Sequence, residues 1–475
     1  MPRAQFRLSG DAPAPIRAGF STLIDAQKIR TQFDATVLAE AQHQADGVRP
    51  TGKDLTDLAF QTLDPVGSTD LDQAFLIERA GSGFRVWYAI ADVARFVVPG
   101  AALDEETRRR GATVYAPTSR FPLHPAVLSE GAASLLADGH SRPAVVWRID
   151  LDQSGCVVDR HVERAVVRSR AQLNYPQAQQ ALDAGQADSS LALLKTVGRL
   201  RETQEAERGG VSLNLPEQEV VADRGQWSLR FRQVLPVEGW NAQISLLTGF
   251  VAADLMLDAG VGVLRTLPAA HPDAIDRLRR VAAGLGIAWA PDEDYPSLVR
   301  GLDPAQSADL AMMTACTTVF RGAGYASFHH GAEAHDLRHA ALAAPYAHVT
   351  APLRRLVDRF ATEVCLAICA GQAAPEWADQ GLDELPGLMA SADQRSSGFD
   401  RGVVSLVEAL VLSSSVGRTL SGTVVSAHAD AGRVQIPDPA VQIDVTGKDL
   451  PLGQVVEARI VSTDLRTGTV VAVAV

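Results

Sequence analysis

The stretch DPVGSTDLDQAF, Asp64 to Phe75, gathers Asp64, Asp70 and Asp72 within nine residues, separated by a Pro, a Gly and two small hydroxyl residues. LTDLAFQTL before it and AFLIERAGSGFRVWYAIADV after it are strand-like in their apolar, β-branched and aromatic content. The pattern predicts Asp64 at one strand end and Asp70 and Asp72 at the start of the next. Residues two apart on a strand share a face, so Asp70 and Asp72 are expected to converge, with Asp64 arriving across the turn. Three close carboxylates repel one another, and uncompensated one or more would take up a proton. A hard divalent cation such as Mg2+ removes that cost, because it prefers carboxylate oxygens and water. The competing reading is a solvated acidic turn. An EF-hand does not fit, since neither Asp64 nor Asp70 as first ligand gives the required ligand series.

The 475 residues suffice for two or three domains, and 46% hydrophobic with 21% charged residues is ordinary for a folded protein. No run of eighteen or more apolar residues occurs, and MPRAQFRLSGDAPAP lacks the apolar core of a signal peptide, so neither membrane attachment nor export is expected. Cys156, Cys316, Cys365 and Cys369 form no CxxC pair and no zinc spacing, which predicts a reduced, cytoplasmic protein. A net charge of −12 argues against indiscriminate nucleic-acid binding but leaves room for a nuclease with a basic channel.

Along the chain, residues 20–41 show helical spacing, with Asp34 placed to cap a second helix; together they suggest a small helical region over 1–50, a helix-turn-helix being one reading. Residues 51–150 mix strand and helix, and Arg108, Arg109 and Arg110 are expected on a solvated surface. Residues 145–170 read as a hairpin around Ser154-Gly155, 176–209 as helical, and 212–234 as strands. The chain then reads as mostly helical from Gly239 to Gln372, looser over 373–400 around Pro375, Pro386 and a Ser-Ser-Gly, and helical again to Leu412. Five short strands over 416–475 fit an OB-type barrel. That segment has no Phe, Tyr or Trp, so any grip on RNA falls to Arg418, Arg433, Lys448, Arg459 and Arg466.

With three ordered motifs the chain resembles the ribonuclease II / ribonuclease R family. They are TLDPVGSTDLDQA, then AIADVARFVVPGAALDEETRRRGATVYAP with FPLHPAVLSEGAASL, and AAPYAHVTAPLRRLVDRF. The resemblance implies an α+β fold: an RNB catalytic domain over 51–412 and a C-terminal S1/OB barrel over 416–475. It implies a 3′→5′ exoribonuclease that hydrolyses single-stranded RNA to nucleoside 5′-monophosphates, with Mg2+ or Mn2+, as a cytoplasmic monomer with no obligate protein partner. Asp64, Asp70 and Asp72 match the acids that hold the metal and orient water. Tyr115 matches the tyrosine that stacks on the 3′ base, and Arg354 the arginine that grips the scissile phosphate. Tyr346, His348 and Arg355 fall in the same segment as Arg354 and are candidate RNA contacts.

Alternatives stay open at this stage. Tyr115 alone fits a core tyrosine, Arg354 fits a helix-surface pair with Asp358, Tyr346 and His348 fit simple packing, and His329 and His330 fit exposed or hydrogen-bonded residues. The chain also departs from the family. Gln73 stands where a fourth Asp is usual; its amide oxygen is a candidate metal ligand without charge, although in a regular strand it would point away from Asp72. Leu213 replaces a Phe opposite the tyrosine, and Gln243 a glutamate near the 3′ ribose. Two cold-shock barrels do not fit in the first ~50 residues, so the helices there are expected to occupy their place. The rival reading is a catalytically silent RNA-binding regulator.

Overall fold

The computed structural model describes residues 7–8, 14–116, 120–213, 215, 217–223, 226–232, 234–320, 322–329 and 337–475. Its centre is a seven-stranded mixed sheet in the spatial order 171–174, 61–64, 73–80, 83–91, 142–151, 157–167 and 53–54. The edge strands 171–174 and 53–54 pair in parallel and the interior pairs are antiparallel. Side-chain alternation divides the core between its two faces. Phe75, Ile77, Tyr88, Ile90, Val145 and Trp147 face one layer, with Trp240, Ile244 and Leu247 of helix Pro236–Ala259 and Phe360 and Val364 of helix Leu356–Cys369. Ala74, Ala89, Ala91, Ala144 and Val146 face the other, with Val37 and Ala41 of helix Ala35–Gly47 and Leu103 of helix Ala102–Arg110.

Helix Pro236–Ala259 is, among the described residues, long and apolar enough by composition to cross a membrane. Its apolarity is explained by packing, since Val237, Trp240, Ile244, Leu247, Val251 and Met256 are all buried against the sheet and its neighbours. Gly249 lets it approach the 344–349 segment, because a Cβ there would lie 2.1 Å from the Tyr346 ring and 2.6 Å from the Ala347 carbonyl oxygen.

Three sequence expectations are corrected. Residues 385–412 form one 28-residue helix running through the segment read as loose. Pro386 sits in its first turn, where the missing N–H costs nothing. The small residues serve contact: a Cβ on Gly398 would meet Gln27 at 2.4 Å, and one on Gly402 would meet Leu23 at 2.4 Å. The region from Gly239 to Gln372 includes an antiparallel strand pair, 262–266 with 324–328. Arg110 is buried, pairing with Glu106 at 2.8 Å and donating to the carbonyls of Arg30, Gln32 and Pro122. Helix phase turns Arg110 inward while Arg109 stays half exposed.

The two N-terminal helices share no core of their own among the described residues. Phe20 and Leu23 of helix Ala14–Ala26 pack with Val114, Phe121, Phe399 and Val403, whereas Val37 and Ala41 of the second helix join the sheet. Asp34 holds the N-cap position of the second helix, without a side-chain capping bond. At the other end of the chain, strands 419–427, 431–436, 441–446, 469–474 and 455–464 close into a five-stranded barrel. Val407 and Leu412 of the long helix enter the barrel core.

Gly249→Ala is expected to lower stability by about 1–3 kcal/mol through overpacking against an aromatic ring and a main-chain carbonyl. A urea midpoint unchanged from the parent protein would contradict that packing.

Candidate active site

The acidic turn is built by the ends of two neighbouring strands. Asp64 closes strand 61–64, Pro65 to Gly67 turn the chain with Gly67 at φ +77°, and strand 73–80 begins directly after Asp72. The turn is fastened from outside the strands. Leu71 donates its N–H to Ser134 Oγ at 2.9 Å, Ser134 donates to the Thr69 carbonyl at 2.7 Å, and Leu135 N donates to the Leu71 carbonyl at 3.0 Å.

Asp72 is the buried member and meets the distant arginine segment. Its Oδ1 accepts the Leu353 N–H at 2.7 Å, and its Oδ2 lies 3.5 Å from Arg354 Nε. Arg354 keeps 40% of its side chain accessible, open to a ligand, while Asp72 keeps 8%. The salt bridge to Asp358 considered for Arg354 is made instead by Arg355, with two bonds of 2.8 Å. Asp358 also accepts the Ala351 N–H at 2.6 Å, so the Arg355–Asp358 pair secures this segment.

Asp70 departs from the expected convergence. It accepts Arg120 Nη1 at 2.6 Å and lies 3.4 Å from the Tyr115 hydroxyl, and Arg120 further bonds Thr69 Oγ1 at 2.7 Å and pairs with Glu130. Among the described residues no three Asp, Glu, His or Cys side chains are gathered closely enough to hold an ion as they stand. The physical reason is that Asp70 finds its counter-charge in Arg120. The chemistry of the remaining donors does suit a hard cation. Burial pushes Asp64 up to about 7 and Asp72 up to about 8, against the attraction of Arg354. Two desolvated carboxyls with so little compensating charge are what a divalent ion would relieve.

Tyr115 sits on the short hairpin 114–115/120–121, with its hydroxyl over Asp70. That hairpin is tied to the arginine segment, since Thr113 N donates to the Arg354 carbonyl and Leu356 N to the Gly111 carbonyl, both at 3.0 Å. Gln73 faces the side of the sheet covered by helix Pro236–Ala259, with Phe75, Tyr88 and Ile90. Its Nε2 donates to the Thr350 carbonyl at 2.7 Å and its Oε1 accepts the Tyr88 hydroxyl at 2.6 Å.

Other expected RNA contacts are used internally. Tyr346 is 7% exposed, its ring edge-on to Phe250 at 5.7 Å and His348 at 5.3 Å. His348 Nδ1 bonds the Tyr325 hydroxyl at 2.7 Å, and burial holds its imidazole well below the usual histidine range. Tyr346 is held there by the helix at Gly249, which presses directly on its ring. Leu213 is half-buried against the helical cluster of Val211, Leu278 and Met312. Gln243 is buried and donates to Glu205 at 2.6 Å, a carboxylate that also accepts Ser212 Oγ at 2.6 Å. His329 bonds Asp383 at 3.1 Å, and His330 lies outside the described residues.

Sequence reasoning missed Arg120 and Tyr175. Tyr175 opens a helix directly after strand 171–174, which pairs in register with 61–64 so that Asn174 lies beside Asp64. The pKa of its hydroxyl is raised by burial and by the Asp64 charge. The Asn-Tyr-Pro junction was a usable helix-start signal. Arg120 gave none, because a two-residue strand is too short to show a period.

Known proteins share the family profile and the fold of this chain. The RNB domain family profile matches residues 52–367, and the RNase II-type exonuclease C-terminal S1 domain profile matches 418–475. Exosome complex exonuclease RRP44 of Mus musculus is 27% identical over 343 residues, which cover 69% of this chain and 36% of that protein. The match thus spans about a third of the length of that curated relative. The apo form of Mycoplasma genitalium RNase R superposes with a TM-score of 0.85 at 19% identity, covering 97% of this chain and 78% of that one. Yeast Ssd1, a pseudonuclease, superposes with a TM-score of 0.69 at 16% identity, covering 85% and 51%. At such identities the structural likeness is one of fold. The RNB profile spans more than half of the chain and includes Asp64, Asp70, Asp72 and Arg354, and the chain belongs to the RNB-domain family, with a C-terminal S1 domain of the RNase II type.

Proposed function

We propose that this chain is a divalent-cation-dependent 3′→5′ exoribonuclease that hydrolyses single-stranded RNA from its 3′ end and releases nucleoside 5′-monophosphates. The observation that carries the reading is the meeting of Asp72 with the Leu353–Arg354 step, 281 residues away from Leu353 in sequence. The match to RNB relatives named as an exonuclease and a ribonuclease supports it.

Asp64, Asp70 and Asp72 are the residues that would hold Mg2+ or Mn2+. The cation, when bound, supplies a Lewis acid for phosphoryl oxygen and for water. Arg354 presents a planar, permanently charged fork to the scissile phosphate, where negative charge grows during hydrolysis. Tyr115 offers a face for the terminal base without reading its identity. The neighbouring carboxylates, freed of protons, orient the attacking water by accepting from it. The same reading takes the chain to act as a monomer in the cytoplasm, which its free cysteines Cys156, Cys316, Cys365 and Cys369 suit.

One observation favours a second reading, a silent RNA-binding member: Gln73 supplies no charge where the family usually has an acid. Intact Asp64, Asp70, Asp72 and Arg354 favour the enzyme.

Purified protein with Mg2+ and a 5′-labelled oligoribonucleotide is expected to yield mononucleotides from the 3′ end. Asp72→Asn is expected to retain RNA binding and lose more than about a hundredfold in kcat. Parent protein that binds RNA without shortening it would establish the silent reading. Asp72→Asn cleaving at the parent rate would remove the site assignment.

The raised carboxyls also set a pH dependence. A carboxyl whose folded pKa lies above its unfolded value stabilises the fold below the unfolded value and loses that contribution as pH rises through the folded one. For Asp64 and Asp72 the window runs from the ordinary carboxylate value of 3.8 up to about 7 and about 8. The metal-free melting temperature is therefore expected to fall between about pH 5 and 8.5, and added Mn2+ to restore it more strongly at the alkaline end. Mn2+ stabilisation that is equal at both pH values would contradict the coupling.

A further inference from the structure

We infer that Gln73 is a positioning residue: a neutral hydrogen-bonded strut that holds the Arg354 segment against Asp72, and not a ligand of the cation. The inference rests on the nuclease reading above for its consequence and on geometry for its substance.

The amide is oriented by its partners. The Thr350 carbonyl accepts only, so the group facing it at 2.7 Å must be Nε2, which leaves Oε1 toward the Tyr88 hydroxyl at 2.6 Å. With its proton committed to Gln73, the Tyr88 oxygen accepts in turn from Ser245 Oγ at 2.8 Å. Tyr88 is 1% exposed and Thr350 3%, so losing the amide would strip the Thr350 carbonyl of this donor and leave the Tyr88 hydroxyl with Ser245 alone, both away from water. The chain Thr350–Gln73–Tyr88–Ser245 thereby joins the arginine segment, two neighbouring strands and helix Pro236–Ala259.

The register explains why the direction is fixed. Gln73 pairs with Ile90 and Phe75 with Tyr88, so Gln73, Phe75, Tyr88 and Ile90 share the helix-side face. Asp72 precedes them and is turned to Leu353 and Arg354. The segment is then held at three successive points: Thr350 by Gln73, Ala351 by Asp358, and Leu353 by Asp72. An aspartate at 73 would be one methylene shorter and accept only, so it would face the Thr350 carbonyl with nothing to donate.

Gln73→Leu and Gln73→Asp separate the strut from a ligand. Both are expected to lower the metal-free melting temperature by several degrees and kcat by about ten- to a hundredfold, while the KM for RNA changes by less than about threefold. The Mn2+ dissociation constant, measured by calorimetry without RNA, is expected to stay within about threefold of the parent in both. Tyr88→Phe, which removes one hydroxyl and leaves the backbone of the sheet intact, is expected to shift kcat in the same direction by a smaller factor. Mn2+ binding tightened tenfold by Gln73→Asp, or weakened tenfold by Gln73→Leu, overturns the inference in favour of a ligand. A lowered melting temperature with unchanged kcat overturns it in favour of ordinary packing. If the parent protein cleaves no RNA the nuclease reading fails, and the Mn2+ dissociation constants still decide whether Gln73 is a ligand of the cation.

Discussion

Asp72 accepts the Leu353 amide at 2.7 Å and stands 3.5 Å from Arg354, in a place with little water. Two opposing costs meet there. The carboxylate is destabilised by burial, and the arginine segment has polar main-chain groups that must be paired. Each lessens the other's cost, and the chain on either side is arranged to keep them together. Ser134 and Leu135 pin the acidic turn, Asp358 and Arg355 pin the segment, and residues 111–113 lace it to the hairpin that carries Tyr115.

The rest of the fold supports this junction. The sheet is covered on both faces, which fixes the pleat so that Asp72 and Gln73 cannot exchange directions without moving Phe75 and Ile77 out of the core. Helix Ala14–Ala26 packs through Phe20 and Leu23 on Phe121, Phe399 and Val403, behind the hairpin bearing Tyr115 and Arg120. The first helix therefore buttresses that hairpin from outside and is part of the RNB body in packing terms. Arg110 makes the same link by donating to the carbonyls of Arg30 and Gln32.

Charge is managed by pairing that a cation or substrate must rearrange. Asp70 is paired with Arg120, whereas burial outweighs the attraction of Arg354 at Asp64 and Asp72. Under the proposed function, a cation would have to displace Arg120 from Asp70, and a phosphate would share Arg354 with Asp72. Gln73 adds no further charge to this balance and contributes donors and acceptors instead.

Much was legible in the amino-acid order. Periodicity located the strands around the acidic turn, the hairpin 142–167, the helices after 175 and the five barrel strands, because alternation and turn residues are local signals. Spacing singled out Asp64, Asp70, Asp72 and, through the family likeness, Arg354 and Tyr115. What pairs with what was not legible. That Arg355 and not Arg354 takes Asp358, that Arg120 covers Asp70, that Arg110 turns inward, and that His348 bonds Tyr325 beside the Tyr346 ring all depend on which residues the fold brings together. The Ser-Ser-Gly at 396–398 reads as a break by propensity, yet it is where another helix comes close. Local sequence carries propensity and face, which are short-range. The partner of a buried charge or amide is chosen by desolvation and geometry among groups that only folding brings within reach.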